Sequence, residues 1–303
     1  MKIHLAKSYS FHQQGQRPNQ EDARFPDNDN IDSSQLFFVV CDGVGGSEKG
    51  EVASATVCDS FAKSLSKVNL AEVYFDKTML SQVIDAAYDA LDKVSRKTNG
   101  DMGTTMTFIC FHKGGCMMAH IGDSRIYQIR PSTGIIYRSE DHSLVNSMVH
   151  NGAITPEQAI NHPQSNVITR CMEPTDEDES RSMATVINTK DVEVGDFFFL
   201  CTDGVLQNVT DEKLVAIVSS DKSSKEKIDS LAKLSSSSSD NNTAILINVE
   251  SVDEDEELRN DDDININSTQ KFPRGRYSSS ELASEAEHDK GIVGWIKKKI
   301  LNL

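Results

Sequence analysis

None of the six cysteines, Cys41, Cys58, Cys110, Cys116, Cys171 and Cys201, stands in a C-x-x-C pair, and several fall inside apolar runs. That spacing argues against a zinc ribbon or a disulfide framework and for reduced, buried thiols. The first residues, MKIHLAKSYSFHQQG, contain no continuous apolar core of the kind a secretory signal needs. No apolar stretch is long enough to cross a bilayer. Basic residues are the scarcer charge: 31 Lys and Arg stand against 47 Asp and Glu, for a net charge of −16. Nonspecific nucleic-acid binding needs clustered Lys and Arg to meet phosphates, so that class is excluded. There is no internal repeat.

The 303 residues, 37% of them hydrophobic, can form one large domain of about 250 residues with an appendage. Short apolar runs read as strands: Leu36–Cys41, Thr104–Phe111, Cys116–Ile121, Arg125–Arg130, Ile135–Arg138, Phe197–Cys201 and Thr243–Val249. Lys113-Gly114-Gly115 and Pro131-Ser132-Thr133-Gly134 mark turns between neighbours. Ala53, Val57, Phe61 and Leu65 recur at helical spacing, as do Leu80, Val83, Ile84, Ala87, Leu91 and Val94. Ser143 is placed to cap a shorter helix, and Thr155-Pro156-Glu157-Gln158 has the layout of a capping box. Core packing accounts for these stripes.

Near residue 250 the composition changes. The acidic run ESVDEDEELRNDDD and the Ser-rich stretch after it cannot bury enough apolar surface to offset chain entropy. The expectation is a catalytic or binding domain over 1–250, a disordered linker over 251–290 and a short amphipathic basic helix over 291–303. That helix carries Ile292, Val293, Trp295, Ile296, Ile300 and Leu303 against Lys297, Lys298 and Lys299. Docking on its own domain, binding a partner protein and lying at a membrane surface all remain open for it. Ser235–Ser239 reads as a flexible loop.

Chemistry is concentrated where apolar runs end in acid. Asp42-Gly43, Asp203-Gly204, Gly122-Asp123-Ser124-Arg125 and Asp240-Asn241 all follow or precede such a run. One Asp-Gly alone is a turn dipeptide. Several converging would form a cage of hard oxygen ligands, with the glycine allowing a sharp bend and the approach of a backbone carbonyl. Such a set selects Mg²⁺ or Mn²⁺ over zinc. It fits metal-assisted phosphoester hydrolysis, in which two ions about 3.5–4 Å apart share a carboxylate and clamp the phosphoryl oxygens. Arg17, in Arg17-Pro18-Asn19-Gln20-Glu21-Asp22, supplies a guanidinium for a phosphate dianion.

In this order the motifs resemble the PPM, or type 2C, metal-dependent protein serine/threonine phosphatases. The resemblance runs from Arg17–Asp22 through Val40–Gly46, Gly103–Thr105, Ala119–Tyr127, Asp141–Ser143, Asn151–Thr155, Asn166–Arg170, Gly195-Asp196 and Leu200–Val205 to Asp240–Thr243. The stretch Asn151–Arg170 is especially like bacterial members. The resemblance implies an α+β fold, a four-layer α-β-β-α sandwich of two antiparallel sheets flanked by helices, with a dinuclear metal cleft at one end. It makes Asp42 the bridging ligand and the Gly43 carbonyl a further ligand, with Asp203 and Asp240 completing the second ion. Asp22 would act through metal-held waters with Glu21 close by, and Asp123 would join Asp203 in a third, weaker site. Arg17 would hold the substrate phosphate, and Asn146–Glu179 would form a flap. It implies Mn²⁺ or Mg²⁺ as cofactor, phosphoproteins and their Ser/Thr kinases as partners, a monomer, and the bacterial cytoplasm as location. Many eukaryotic members carry a histidine, proposed as the general acid, where this chain has Val44. A metal-held water is then the first candidate for the acid, ahead of His120 and His142. Two other readings are a noncatalytic phosphoprotein-binding adaptor and a phosphatase dedicated to one partner-switching regulator.

Overall fold

In the computed structural model, strand β5 (Phe37–Asp42) is buried on both faces, which explains why its sequence is continuously apolar rather than alternating. Phe38 and Val40 point one way and Val39 and Cys41 the other, as a period of two requires. The structure describes residues 1–44, 49–98, 100–159, 162–175 and 180–253. All lie within one unit, Met1–Asp255.

β5 belongs to a five-stranded antiparallel sheet. In order it comprises β10 (Thr185–Thr189), β7 (Gly115–Ile121), β6 (Met106–His112), β5 and β3 (Asp22–Phe25). A seven-stranded antiparallel sheet runs β4 (Asn30–Ile31), β2 (Ser8–Gln13), β12 (Asn242–Asp253), β11 (Phe197–Cys201), β8 (Arg125–Arg130) and β9 (Gly134–Arg138). β1 (Lys2–Leu5) pairs with the far half of β12.

Three apolar clusters define four layers. The middle one joins the sheets through Phe38, Val40, Ile109, Met118, Phe198, Leu200, Ile245 and Ile247. An outer cluster packs α1 (Gly50–Leu65) and α2 (Lys77–Ser95) on the five-stranded sheet, using Val57, Phe61, Leu80, Tyr88 and Leu91. The third packs α6 (Asp211–Val218) and α7 (Ser224–Ser235) on the seven-stranded sheet through Leu214, Val218, Ile228 and Leu231. Each large side chain so buried contributes about 1.5–3 kcal/mol of transfer free energy. The sandwich inferred from the resemblance is therefore the observed architecture.

Ser143 caps α3 (Leu144–His150) by accepting from the Asn146 amide, and Thr155 and Gln158 exchange hydrogen bonds at α4 (Pro156–Ala159), as expected. The run from Thr104 becomes regular strand only at Met106. Thr104 instead bridges Gly43 and Met172. β12 runs to Asp253, past the expected boundary at 250, because Ser251–Asp253 pair with Lys2–His4. The remainder of the linker and the terminal amphipathic segment lie outside the described residues. So do 160–161 and 176–179 within the expected flap, and Gly45 and Gly46 of the Val40–Gly46 motif.

One expectation is corrected. Ser235–Ser239 is an ordered turn, not a flexible loop. Ser235 closes α7 by donating to the Leu231 carbonyl. Ser238 and Ser239 donate to Gln207 Oε1, and Ser238 Oγ accepts from the Asp240 amide at 3.1 Å. Small hydroxyl side chains close this turn onto the short helix α5 (Asp203–Leu206), which a count of polar residues does not reveal.

Candidate functional site

The site is assembled from the ends of strands on both sheets. Asp22 opens β3 and Asp42 closes β5, and the two stand opposite each other in the ladder. Asp203 begins α5 directly after β11, and Asp240 lies just before β12. Asp123 follows β7. Two antiparallel sheets thus bring five carboxylates, spread along the chain from Asp22 to Asp240, to one end of the sandwich.

The backbone around Asp42 is held by two threonines. Its amide donates to Thr105 Oγ1 at 3.0 Å, and its carbonyl accepts from the Thr105 amide at 2.8 Å and from Thr104 Oγ1 at 2.9 Å. Asp22 is buried, and its Oδ2 accepts from Thr243 Oγ1 at 2.6 Å and from Thr202 Oγ1 at 3.0 Å. Thr243 lies on β12 and Thr202 directly follows β11, so the pair ties the seven-stranded sheet to Asp22 on the other at the cleft. Asp22 Oδ1 is buried without a hydrogen-bond partner.

The glycines act by size rather than by the sharp bend expected of Asp-Gly. A Cβ on Gly43 would lie 2.6 Å from the Gly50 carbonyl and 2.7 Å from the Glu21 oxygen. A Cβ on Gly204 would lie 2.0 Å from the Asn241 oxygen. Neither position has a positive φ; close backbone approach is what excludes a side chain there. Gly122 differs, with φ +103° and Thr105 Cγ2 2.6 Å from where its Cβ would be. Gly204→Ala is expected to push the 240–241 turn away from Asp203. Overpacking of this kind costs about 1–3 kcal/mol, and thermal unfolding together with divalent-cation titration would register both losses.

Asn241 is the principal site residue that the sequence reading did not single out. Its Nδ2 donates to the Gln14 and Asn19 carbonyls at 2.8 and 2.9 Å, and its Oδ1 accepts from the Glu21 amide at 2.8 Å. One buried amide therefore fastens the segment carrying Arg17 and Glu21 to the Asp240 turn. Its position next to Asp240, and that of Thr202 next to Asp203, was the available signal. Arg17 Nη2 donates to Asp240 Oδ2 at 2.6 Å, with the Arg17 side chain 45% exposed. The guanidinium is thus at the mouth of the cluster and engaged with an acid of it.

The electrostatics of the cluster are unfavourable to full ionisation. Burial, then Asp22, Asp203, Asp123 and Asp240, hold the Asp42 carboxyl well above the usual range. Burial also raises Asp22 and Asp123, each to about 8, with Asp203 adding to both, and it raises Asp203 with Asp240 adding. Glu21 is raised as well, chiefly by burial. Mutual repulsion among these carboxylates, added to burial, favours partial protonation of the cluster when no cation is bound. A divalent cation can take the place of such protons.

Among the described residues no three His, Cys, Asp or Glu side chains are drawn close enough to hold an ion as they stand. The donor chemistry nonetheless fits one. The set is all oxygen, its members hold one another's pKa values up, and it presents a buried carboxylate oxygen with no partner.

His120 and His142 stack at 4.5 Å beside this end of the sheet. His120 Nε2 donates to the Glu140 carbonyl at 2.8 Å. His142 Nδ1 accepts from the Gly122 amide at 3.1 Å, and its Nε2 lies 2.9 Å from Thr185 Oγ1. Burial pushes both below the usual histidine value, His142 to about 2 with His120 and Arg170 adding to the effect. Both rings are neutral structural groups, unsuited to donating a proton near neutrality. The unfolded chain binds protons here below about pH 6.5 and the folded chain does not, so stability is full above that value and falls as pH drops. The expected slope is up to about 1 kcal/mol per pH unit for His142 after allowance for its partial exposure. Urea midpoints at pH 5.0–7.5 should show it, and His142→Gln should flatten it. Val44, where an acid was sought, donates its amide to the Gly103 carbonyl at 2.9 Å and brings no titratable group.

Comparison with known proteins bears on this site. Protein phosphatase PhpP of Streptococcus pneumoniae is 28% identical over 226 residues, covering 73% of this chain and 89% of that protein. The crystal structure of serine/threonine phosphatase Stp1 from Staphylococcus aureus matches with a TM-score of 0.70 at 30% identity, covering 83% of this chain and 98% of that one. The catalytic domain of serine/threonine protein phosphatase PstP, solved in complex with two manganese ions, matches with a TM-score of 0.65 at 25% identity, covering 82% and 100%. The profile of the family described as Protein phosphatase 2C matches residues 10–239, and with the carboxylate cluster and the double-sheet sandwich already in place, the chain belongs to that family.

Proposed function

We propose that this protein is a metal-dependent phosphatase that hydrolyses phosphoserine and phosphothreonine in proteins, opposing bacterial Ser/Thr kinases in the cytoplasm. The observation that supports this most is the convergence of Asp22, Asp42, Asp123, Asp203 and Asp240 at one end of the sandwich, near enough to hold one another's pKa values up, with Arg17 paired to Asp240. Asp42, the Gly43 carbonyl, Asp203 and Asp240 are the groups that would hold a pair of Mn²⁺ or Mg²⁺ ions, with Asp42 shared between them. Asp123 would hold a third, weaker ion together with Asp203, and Asp22, with Glu21 close by, would act through waters on the pair. When bound, the ions lower the pKa of water and neutralise charge on the transferred phosphoryl group.

The chain's own groups do the rest. Arg17 meets two phosphoryl oxygens through its planar fork once released from Asp240, fixing the phosphorus over the carboxylates. Thr104 and Thr105 hold the Asp42 backbone, and Thr202 and Thr243 hold Asp22, so the acids need not reorganise as charge develops. The leaving serine or threonine oxygen needs a proton, and neither His120, His142 nor Val44 supplies it.

The domain organisation proposed with this reading is catalysis in a domain that ends with β12 at Asp253, with the segment beyond it outside the catalytic unit. The chain acts as a monomer. The test is hydrolysis of p-nitrophenyl phosphate and a phosphothreonine peptide with and without Mn²⁺ or Mg²⁺, in the full chain and in a chain lacking 264–303. Cation-dependent turnover by both forms is the expected result. Folded, cation-loaded protein without turnover would leave a phosphoprotein-binding adaptor. Loss of turnover only in the shortened chain would refute the domain boundary.

A further inference from the structure

His12 and Thr243 face each other across the β2–β12 ladder. Thr243 Oγ1 lies 2.6 Å from Asp22 Oδ2 and 3.0 Å from His12 Nδ1. A hydroxyl carries one proton. Spent on the carboxylate, that proton leaves a lone pair on Thr243 to accept from Nδ1–H. Were Nδ1 the acceptor, two bare oxygens would meet at 2.6 Å once a cation replaces the proton on Asp22 and leaves it ionised. Asp22 Oδ2 receives a second hydrogen bond from Thr202 Oγ1, whose oxygen accepts in turn from the Thr243 amide at 3.0 Å. All the donors therefore sit on Oδ2, and Oδ1 stays buried without a protein partner.

We propose that His12 is a positioning residue for the cation site: as the Nδ1–H tautomer it aims the Thr243 hydroxyl at Asp22 Oδ2 and so keeps Asp22 Oδ1 free for the carboxylate cluster. This rests on the reading of Asp22 as part of that site.

The surroundings of the imidazole agree with a neutral ring. Arg24 of β3 and Asp27 and Asp29 just after it are the charged groups that act on the ring, with Thr243 opposite from β12. Arg24 is itself paired with Asp29 at 2.7 Å and Asp27 at 3.3 Å. Burial and then Arg24 lower the His12 pKa. A neutral imidazole has a single N–H, and the chain of three hydrogen-bonding groups places it on Nδ1. The effect on Asp22 is that of an outer hydrogen bond which orients a ligand, a contact whose loss weakens metal sites by about 10–100-fold.

The experiment titrates Mn²⁺ into His12→Ala, His12→Asn, His12→Gln and Asp22→Asn by calorimetry, with circular dichroism to verify folding, and measures p-nitrophenyl phosphate kinetics at two Mn²⁺ concentrations. An asparagine side chain offers its N–H close to where Nδ1–H lies, and a glutamine offers it near Nε2. His12→Ala should bind Mn²⁺ about 10-fold more weakly, His12→Asn should recover most of that loss, and His12→Gln should not. Turnover in His12→Ala should fall at limiting Mn²⁺ and recover at saturating Mn²⁺, with KM for the phosphoester unchanged throughout. Thr243→Val should reproduce the loss and Thr243→Ser should not, which keeps the test decisive if a His12 variant fails to fold. Wild-type Mn²⁺ affinity in His12→Ala beside weak binding in Asp22→Asn would overturn the proposal alone. Equal weakness in His12→Ala and His12→Asn would also overturn it. Undiminished binding in Asp22→Asn would remove Asp22 from the cation site and end both readings.

Discussion

Asp42→Asn is expected to abolish most turnover and at the same time to stabilise the cation-free protein. The side chain keeps its shape and loses its charge. Asp42 is surrounded by Asp22, Asp203, Asp123 and Asp240, and burial and those neighbours together hold its carboxyl well above the usual range. As the bridging ligand of the proposed ion pair it cannot be replaced by a neutral amide. A rate loss of roughly 100- to 1,000-fold or more is anticipated, the scale of removing one preorganised charge-stabilising group. The stability effect has the opposite sign. Carboxyls whose folded pKa is raised bind more protons in the folded chain than in the unfolded one. Their contribution is full below about pH 4, the unfolded value, and is lost as pH rises toward the folded values, about 8 for Asp22 and Asp123. Without cations the wild-type cluster therefore loses stability through this window. Removing one acid should return about 0.5–2 kcal/mol, as relief of a strained functional site commonly does. Excess Mn²⁺ should raise wild-type stability by about 2.7 kcal/mol at one hundred times its dissociation constant and should do little for the variant. Thermal scans at pH 5, 7 and 8.5 with EDTA or Mn²⁺, beside initial rates, measure all of this. A variant that turns over normally, or a wild type indifferent to chelation, would sink the assignment.

The second large effect is expected at Arg17, and it should fall on catalysis with little cost to the fold. Its side chain is nearly half exposed and paired with Asp240, and exposed pairs are worth about 0–1 kcal/mol. Unfolding midpoints of Arg17→Ala should accordingly lie close to wild type. Hydrogen bonds to a charged phosphoryl group are worth about 1.5–3 kcal/mol, so kcat/KM should drop about 10- to 150-fold, with much of the loss in KM. Arg17→Lys keeps the charge without the planar fork and should recover only part. Inhibition by inorganic phosphate should weaken in parallel. Unchanged KM and unchanged phosphate inhibition in Arg17→Ala would show that another group holds the substrate.

The helices on the seven-stranded sheet show where reading the chain stopped short. α6 and α7 were not foreseen. The buried face of α7 has only Ile228 and Leu231 as apolar residues, the rest being Lys227, whose ammonium lies over the Phe197 ring, and Ser235. A face completed by a lysine and a serine gives no apolar period. The signals that were present are local: Thr210 caps α6, and Ser223 with Glu226 forms a complete capping box on α7. The same limit applied at Ser235–Ser239, where hydroxyls that look like linker close the turn carrying Asp240.

What the sequence determined by itself is the chemistry and its order along the chain. Doubly buried strands must be continuously apolar, so the acids that end Phe37–Asp42 and precede Asn242–Asp253 stand out against them, and an all-oxygen donor set speaks for a hard cation whatever the fold. The α-β-β-α sandwich followed from the resemblance, because strand pairing between segments 200 residues apart leaves no trace in periodicity. The tertiary structure alone decided three further things. Gly43 and Gly204 are required by close backbone approach, Asn241 holds the Arg17 segment against the Asp240 turn, and Thr202, Thr243 and His12 reach across from one sheet to fix Asp22 on the other. The physical reason is common to all three. A hydrogen bond or a steric contact depends on distances of a few tenths of an ångström between residues remote in sequence, and only the packed chain sets those distances.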